Sequence, residues 1–149
     1  MRSRLTQSEH TYLAESRVCR IASLGKDGWV HAAPLSHAYD MKRRTLYVAT
    51  DPGGRTASNL RKRPRAAVVC DDPYEDWLRI RGLVARARAH TARSGTELDH
   101  ARRLLKAKFR QYRTFDLDYV IALRVVQVTS WGLWAAAPST RSMNRSRSR

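Results

Sequence analysis

The stretch Leu46-Tyr-Val-Ala-Thr50-Asp-Pro-Gly53-Gly54-Arg55-Thr56-Ala-Ser-Asn59-Leu60-Arg-Lys62-Arg-Pro64-Arg-Ala-Ala-Val-Val-Cys70 reads as a strand, a glycine loop, a short cationic helix, a proline stop and a second strand. Gly53 and Gly54 permit a tight turn and a close backbone approach, and Arg55 with Thr56 opens the helix. Helix N-termini carry partial positive charge and N–H groups without intrahelical partners, so this corner suits an anion such as a phosphate. It is not a Walker sequence, and Asp51 opposes a phosphate unless it turns toward the helix start. The alternative is a strand-to-helix loop whose cations are solvated, and the residues alone leave both readings open.

Outward from this core, Thr6-Gln-Ser-Glu9 has the form of a capping box and predicts a helix to about Ser16, with Tyr12 and Leu13 inward. A strand from Val18 to Leu24, a turn at Gly25–Gly28 and a strand from Trp29 to Tyr39 follow. Pro34 costs that strand a ladder hydrogen bond and predicts a bulge or an edge. Thr45 to Thr50 completes a meander. Beyond the cationic helix come a strand over 66–70, an acidic loop at 71–76 and an extended run from Trp77 to His90, where Gly82 predicts a bulge or a sharp coil. Thr96 is placed to cap a helix reaching about Phe109, with Leu98, Ala101, Leu104, Leu105 and Phe109 on one stripe. Tyr119–Val126 reads as a last buried strand and Val128–Gly132 as a separate extended piece. Strands outnumber short helices, so a closed mainly β barrel with accessory helices satisfies the sheet edges best.

At 149 residues, 42% hydrophobic and 28% charged, the chain fits one domain with a real core. No apolar run approaches the ~20 residues of a membrane helix, and the first residues lack the apolar stretch of a secretion signal, so the expected location is cytoplasmic. Cys19 and Cys70 fall in strands without metal-ligand spacing, which predicts buried thiols. The net charge is +16; the tail, Ser139–Arg149, holds four arginines and no acid, and +16 less those four leaves +12. Residues 134–149 are expected to be a disordered basic tail, and 1–133 the folded domain. The basic body points to anionic partners: a phosphorylated cofactor, a polycarboxylate, or nucleic acid bound without sequence preference.

In their order and spacing the residues resemble the flavin-binding split-barrel family of pyridoxamine 5′-phosphate oxidase-like proteins. The resemblance rests on Asp27-Gly28, His31-Ala-Ala-Pro34-Leu35, Leu46-Tyr47-Val-Ala-Thr50, Arg55-Thr56 with Asn59-Leu60, and Pro64-Arg65-Ala. Asp72-Pro-Tyr74-Glu-Asp76-Trp77-Leu-Arg79, Lys108-Phe-Arg-Gln111-Tyr112-Arg113, Val120-Ile-Ala and Ser130-Trp131-Gly132 resemble a branch associated with the deazaflavin coenzyme F420. The resemblance spans about Thr6 to Leu133. It implies a six-stranded split barrel that forms a homodimer, with coenzyme F420, or alternatively FMN, in grooves between the subunits and a small organic molecule as hydride partner. It further implies that Arg55 and Thr56 hold the phosphate, that Thr50 lines the groove, that His31, Pro34 and Ser36 border the ring and its side chain, and that Trp77 borders the same groove.

Two departures stand out. Many relatives carry a lysine beside the phosphate where this chain has Gly53, Gly54 and Thr56, and Arg63 replaces the acid that commonly precedes the proline. Phosphate binding would then rest on Arg55, supported by Lys62. No metal site or hydrolytic constellation is evident, as expected where the cofactor carries the chemistry. His37, Tyr47, Tyr74 and Tyr112 are candidate proton donors without an assigned role. The alternative from another class is a non-catalytic cofactor, haem or nucleic-acid binder; His10, His31, His37, His90 and His100 are candidate haem ligands.

Overall fold

A computed structural model describes residues 1–133. The expected tail, 134–149, lies outside the described residues. Helix α1 (Gln7–Glu15) is followed by β1 (Val18–Leu24), β2 (Val30–Asp40), β3 (Thr45–Ala49), α2 (Arg55–Lys62), β4 (Arg65–Asp72), β5 (Arg81–Thr91), α3 (Thr96–Lys108) and β6 (Val120–Trp131). The strands close into a barrel in the order β1-β2-β3-β6-β5-β4 with every pairing antiparallel. Closure gives each strand two neighbours and removes the free edges of an open sheet.

Local chemistry accounts for the elements. The capping box forms as expected, with Thr6 Oγ1 accepting from the Glu9 amide at 3.2 Å and the Glu9 carboxylate accepting from the Thr6 amide at 2.8 Å. Along the strands alternate residues face the interior, which is filled by Cys19, Ile21, Leu46, Val48, Val68, Cys70, Leu83, Ile121 and Leu123. Both cysteines are free and buried. Strand β3 is buried on both sides because α3 covers its outer face, where Tyr47 and Ala122 meet Leu98, Ala101 and Leu105.

Several expectations are corrected. Of the two outcomes expected at Pro34, the edge is the one found and the bulge is not: the β1–β2 register runs unbroken from Val18↔Ser36 to Leu24↔Val30. The proline is tolerated because β2 pairs with β3 only over His37–Asp40, so the first half of β2 has a strand neighbour on one side alone. Gly82 marks no bulge either, since the irregularity lies at Arg86/Ala87. Gly82 leaves room instead for the Trp131 indole, which a Cβ at that position would overlap. Trp77 lies in a 3₁₀ turn, Trp77–Arg79, and β5 begins at Arg81. The two extended pieces at the C-terminal end are one strand of 12 residues. The N-cap of α3 is Gly95, with φ of 88°, and Thr96 is its first helical residue.

Candidate functional site

The chain leaving β3 at Thr50 turns into α2, which settles against β1, β2 and β5 with Ala57 and Leu60 in the barrel core. Thr56, Ala57, Asn59 and Leu60 are the buried side of this helix. Asn59 Nδ2 donates to Ser23 Oγ on β1 at 3.1 Å in a buried contact, and Arg63 Nε donates to the Leu24 carbonyl at 2.8 Å. These bonds fix where the helix begins and which face it turns outward.

That outward face forms one wall of a groove of about 530 Å³. Arg55, Ser58 and Lys62 line it at successive turns of α2, spaced so that they share a face. The β1–β2 hairpin forms the opposite wall with Lys26, Trp29 and His31. Gly28, at φ of 83°, supplies the left-handed turn residue the hairpin needs, and Asp27 Oδ1 accepts from the Trp29 amide at 3.1 Å. Lys26, Arg55, Lys62 and Arg63 set four cations against the single carboxylate of Asp27.

The glycine loop is held from within. Asp51 Oδ1 accepts from the Gly53 amide at 2.9 Å and the Asp51 carbonyl accepts from the Gly54 amide at 3.0 Å. The Asp51 carboxylate is thereby spent on its own loop. Gly54 is the N-cap and supplies no side-chain acceptor to the first turn of α2, so its amides stay open to an exogenous anion.

Of the residues singled out from sequence, His31, Arg55 and Lys62 line this one groove. Thr56 is buried at 6% exposure on the barrel side of α2, so its hydroxyl lies outside the lining. Thr50 donates its amide to the Tyr119 carbonyl at 3.2 Å and stands outside the lining too. Pro34 and Ser36 pair with Arg20 and Val18, progressively farther from His31, which pairs with Ser23. Trp77 is 83% exposed. Strand β4 runs antiparallel to β1, which puts the loop holding Trp77 beside the start of β1, five residues or about 16 Å of strand from Ser23. Sequence reasoning missed the hairpin wall: Gly25–Gly28 reads as a turn, and nothing local signals that Lys26 and Trp29 meet α2.

The remaining histidines are engaged elsewhere. His10 Nδ1 bonds Tyr39 Oη at 2.8 Å, His90 Nε2 bonds Glu97 at 2.6 Å and His100 Nε2 bonds Asp40 at 2.6 Å. His37 is fully buried, with Nε2 against the Leu13 carbonyl at 2.8 Å, and burial lowers its pKa to about 4. Among the described residues there is no group of three or more His, Cys, Asp or Glu arranged to hold a metal. No helix among them is long and apolar enough to cross a membrane.

A closed six-stranded antiparallel barrel with three accessory helices is the architecture of the split-barrel class. The family described as pyridoxamine 5′-phosphate oxidase matches residues 5–132, and the chain belongs to it. It is 28% identical over 131 residues, 86% of this chain and 83% of the relative, to the 5a,11a-dehydrotetracycline/5a,11a-dehydrooxytetracycline reductase of Streptomyces rimosus. Among solved structures it is similar to a FAD-binding protein of Mesorhizobium loti (TM-score 0.65, 25% identity, 85% of this chain and 94% of that one). It is also similar to the heme storage protein HutZ of Vibrio cholerae (TM-score 0.67, 12% identity, 80% and 89%), a likeness of fold alone.

Proposed function

We propose that this protein is an oxidoreductase that binds a phosphorylated flavin-type cofactor in the α2 groove and exchanges hydride with a small organic molecule. Family membership and the reductase relative support a flavin-related oxidoreductase. One observation carries the reading: cationic side chains and uncapped helix amides converge on a groove beside the unpaired half of β2. Arg55 offers a planar, always charged fork suited to a phosphate, and Lys62 one turn past Ser58 adds a point charge.

When bound, such a cofactor supplies the hydride chemistry itself. The chain's part is to hold the anionic end at Arg55 and the start of α2, to border the ring from β2 at His31 and the backbone leading to Pro34 and Ser36, and to exclude water. The deazaflavin coenzyme F420 is favoured over FMN, because the cations of this groove match its longer anionic tail. Thr50 and Thr56 contribute through the backbone that delivers α2 rather than through side chains in the lining.

A second copy of the chain completes the site in this reading. Trp77 and Leu78 are exposed at 83% and 97%, and Trp29 and Val30 at 79% and 66%, at opposite ends of the β1 wall. A two-fold axis between them would bring one copy's Trp77 ridge to the other's hairpin and bury both. Apolar exposure of this kind marks association surfaces.

Titration of the purified protein with coenzyme F420 and with FMN, followed by fluorescence, tests the assignment. Coenzyme F420 should bind more tightly, and Arg55→Ala should weaken it by ~1.5–3 kcal/mol, the worth of a charged hydrogen bond. Binding of FMN alone reverses the order of cofactors. Affinity unchanged in Arg55→Ala removes the groove from the proposal. A Soret band that disappears in His31→Ala would instead favour a haem carrier, since His31 is the histidine facing this groove.

A further inference from the structure

Sharing no lining residue with that groove, a second cavity lies where the β2–β3 turn brings Lys42, Arg43 and Arg44 beside Arg124 of β6. Its volume is about 460 Å³, and in its lining Tyr47 is almost fully buried. The only carboxylate in the lining is Glu97, and it is engaged by His90 at 2.6 Å. Asp40, just outside, is bonded to His100 at 2.6 Å and stands 3.9 Å from Arg43. Arg124 has no acidic partner among the described residues, and its nearest cross-strand neighbour on β5 is another cation, Arg88, itself opposite Arg65 on β4. Like charges placed directly across strands destabilise a sheet. Lys42, Arg43 and Arg124 therefore share one cavity in which, among the described residues, only Arg43 meets a carboxylate, Asp40 at 3.9 Å.

The backbone adds an independent sign. Arg44 has φ of 51°, in the left-handed region where glycine is the low-cost residue. An arginine there keeps a strained turn that sets Lys42 and Arg43 beside the cavity, while its own guanidinium donates to the Ser3 carbonyl at 3.3 Å on the side of His10 and Tyr39. Strain retained in a turn is a pointer to function when the surroundings hold it in place. Here the Arg44 carbonyl accepts from the Val125 amide at 2.9 Å, which fixes the turn to β6.

We infer that this cavity is a second anion site, separate from the α2 groove, for a small multivalent oxyanion of the pyrophosphate type, free or as the terminal phosphate of a larger molecule. Arg43 and Arg124 would hold its oxygens and Lys42 its net charge. Tyr47, kept protonated by burial that raises its pKa, could donate from the floor.

The test is calorimetric titration of the full chain with pyrophosphate at low ionic strength. In an Arg55→Ala background, which silences the α2 groove, binding should persist, fall about tenfold or more on adding Arg124→Gln or Arg43→Gln, and be unchanged on adding Arg103→Gln, an exposed cation on α3. Competition by an oligonucleotide bearing a 5′ phosphate, but not by its unphosphorylated form, assigns the terminal-phosphate source; no competition by either assigns the free anion. The inference is overturned if pyrophosphate does not bind. It is equally overturned if the loss follows Arg55→Ala and spares Arg124→Gln, or if Arg103→Gln costs as much as Arg124→Gln.

Discussion

Asn59 on α2 and Ser23 on β1 are joined by a buried side-chain hydrogen bond of 3.1 Å, and this bond seats the cationic helix on the barrel wall. Both residues are nearly inaccessible, so removing one partner leaves the other unsatisfied away from water. Asn59→Ala should cost about 1–3 kcal/mol in urea unfolding. If the bond positions Arg55 and Lys62, cofactor affinity should fall in the same variant more than in Arg61→Ala, which alters an exposed residue of the same helix.

Acid should unfold the protein in two overlapping stages. His37 is buried and its pKa is lowered from the ordinary 6.5 to about 4 by that burial, with Lys108 adding to the effect against a hydrogen bond from the ring to the Leu13 carbonyl. Its folded pKa lies below the unfolded value, so its stabilisation is complete above about pH 6.5 and is lost as pH falls through 4. His37→Gln should flatten the slope of stability over that window.

Glu9 governs the lower stage. Burial alone would raise its pKa, but Arg2, Ser130 at 2.6 Å and the Thr6 amide at 2.8 Å outweigh it and hold the carboxyl near 2. This depressed carboxylate stabilises the fold above about pH 4.5 and the contribution disappears toward pH 2, an effect on the order of 3 kcal/mol. Unfolding midpoints measured from pH 5 to 2 should be steep in the native chain and shallow in Glu9→Gln, which also loses the tie from Arg2 and β6 to α1.

Gly82→Ala should be costly although Gly82 lies in regular sheet. The added methyl meets the Trp131 ring and approaches the Cys70 carbonyl at 3.0 Å, and overpacking of this kind costs about 1–3 kcal/mol. A double-mutant cycle with Trp131→Leu should recover part of the loss. Additive losses would show that the ring is not the obstacle.

The proposed dimer predicts that Trp77→Ser with Leu78→Ser shifts sedimentation from dimer to monomer and reduces cofactor affinity, while the melting curve of the monomer changes little, because both side chains are exposed. A dimer that persists unchanged places the subunit contact elsewhere.

The barrel was legible where the signal is local. The capping box at Thr6–Glu9, the β1 limits Val18 and Leu24, and α2 from Arg55 to Lys62 all follow from neighbouring residues and occur as expected. Gly82, by contrast, has the same local appearance whether it allows a bulge or makes room for an indole from β6. Trp77 looked like a strand residue because aromatic and apolar neighbours surround it in sequence, whereas the Asp76 side chain accepts from the Leu78 amide at 3.0 Å and winds the segment into a turn.

For the site, Arg55 and Lys62 could be read in advance because their spacing places them on one helical face and the glycine loop precedes them. Lys26 and Trp29, the groove's other wall, could not be. The chain by itself determined a basic, strand-rich domain with a cationic helix after its third strand, since periodicity and turn chemistry act over a few residues. Only the tertiary structure decided that β2 outruns β3, that α2 packs on β1, β2 and β5, and that Thr56 is buried while Lys26 lines the groove. Those outcomes depend on strand register and barrel closure, which join residues far apart in sequence and leave no mark within any one segment.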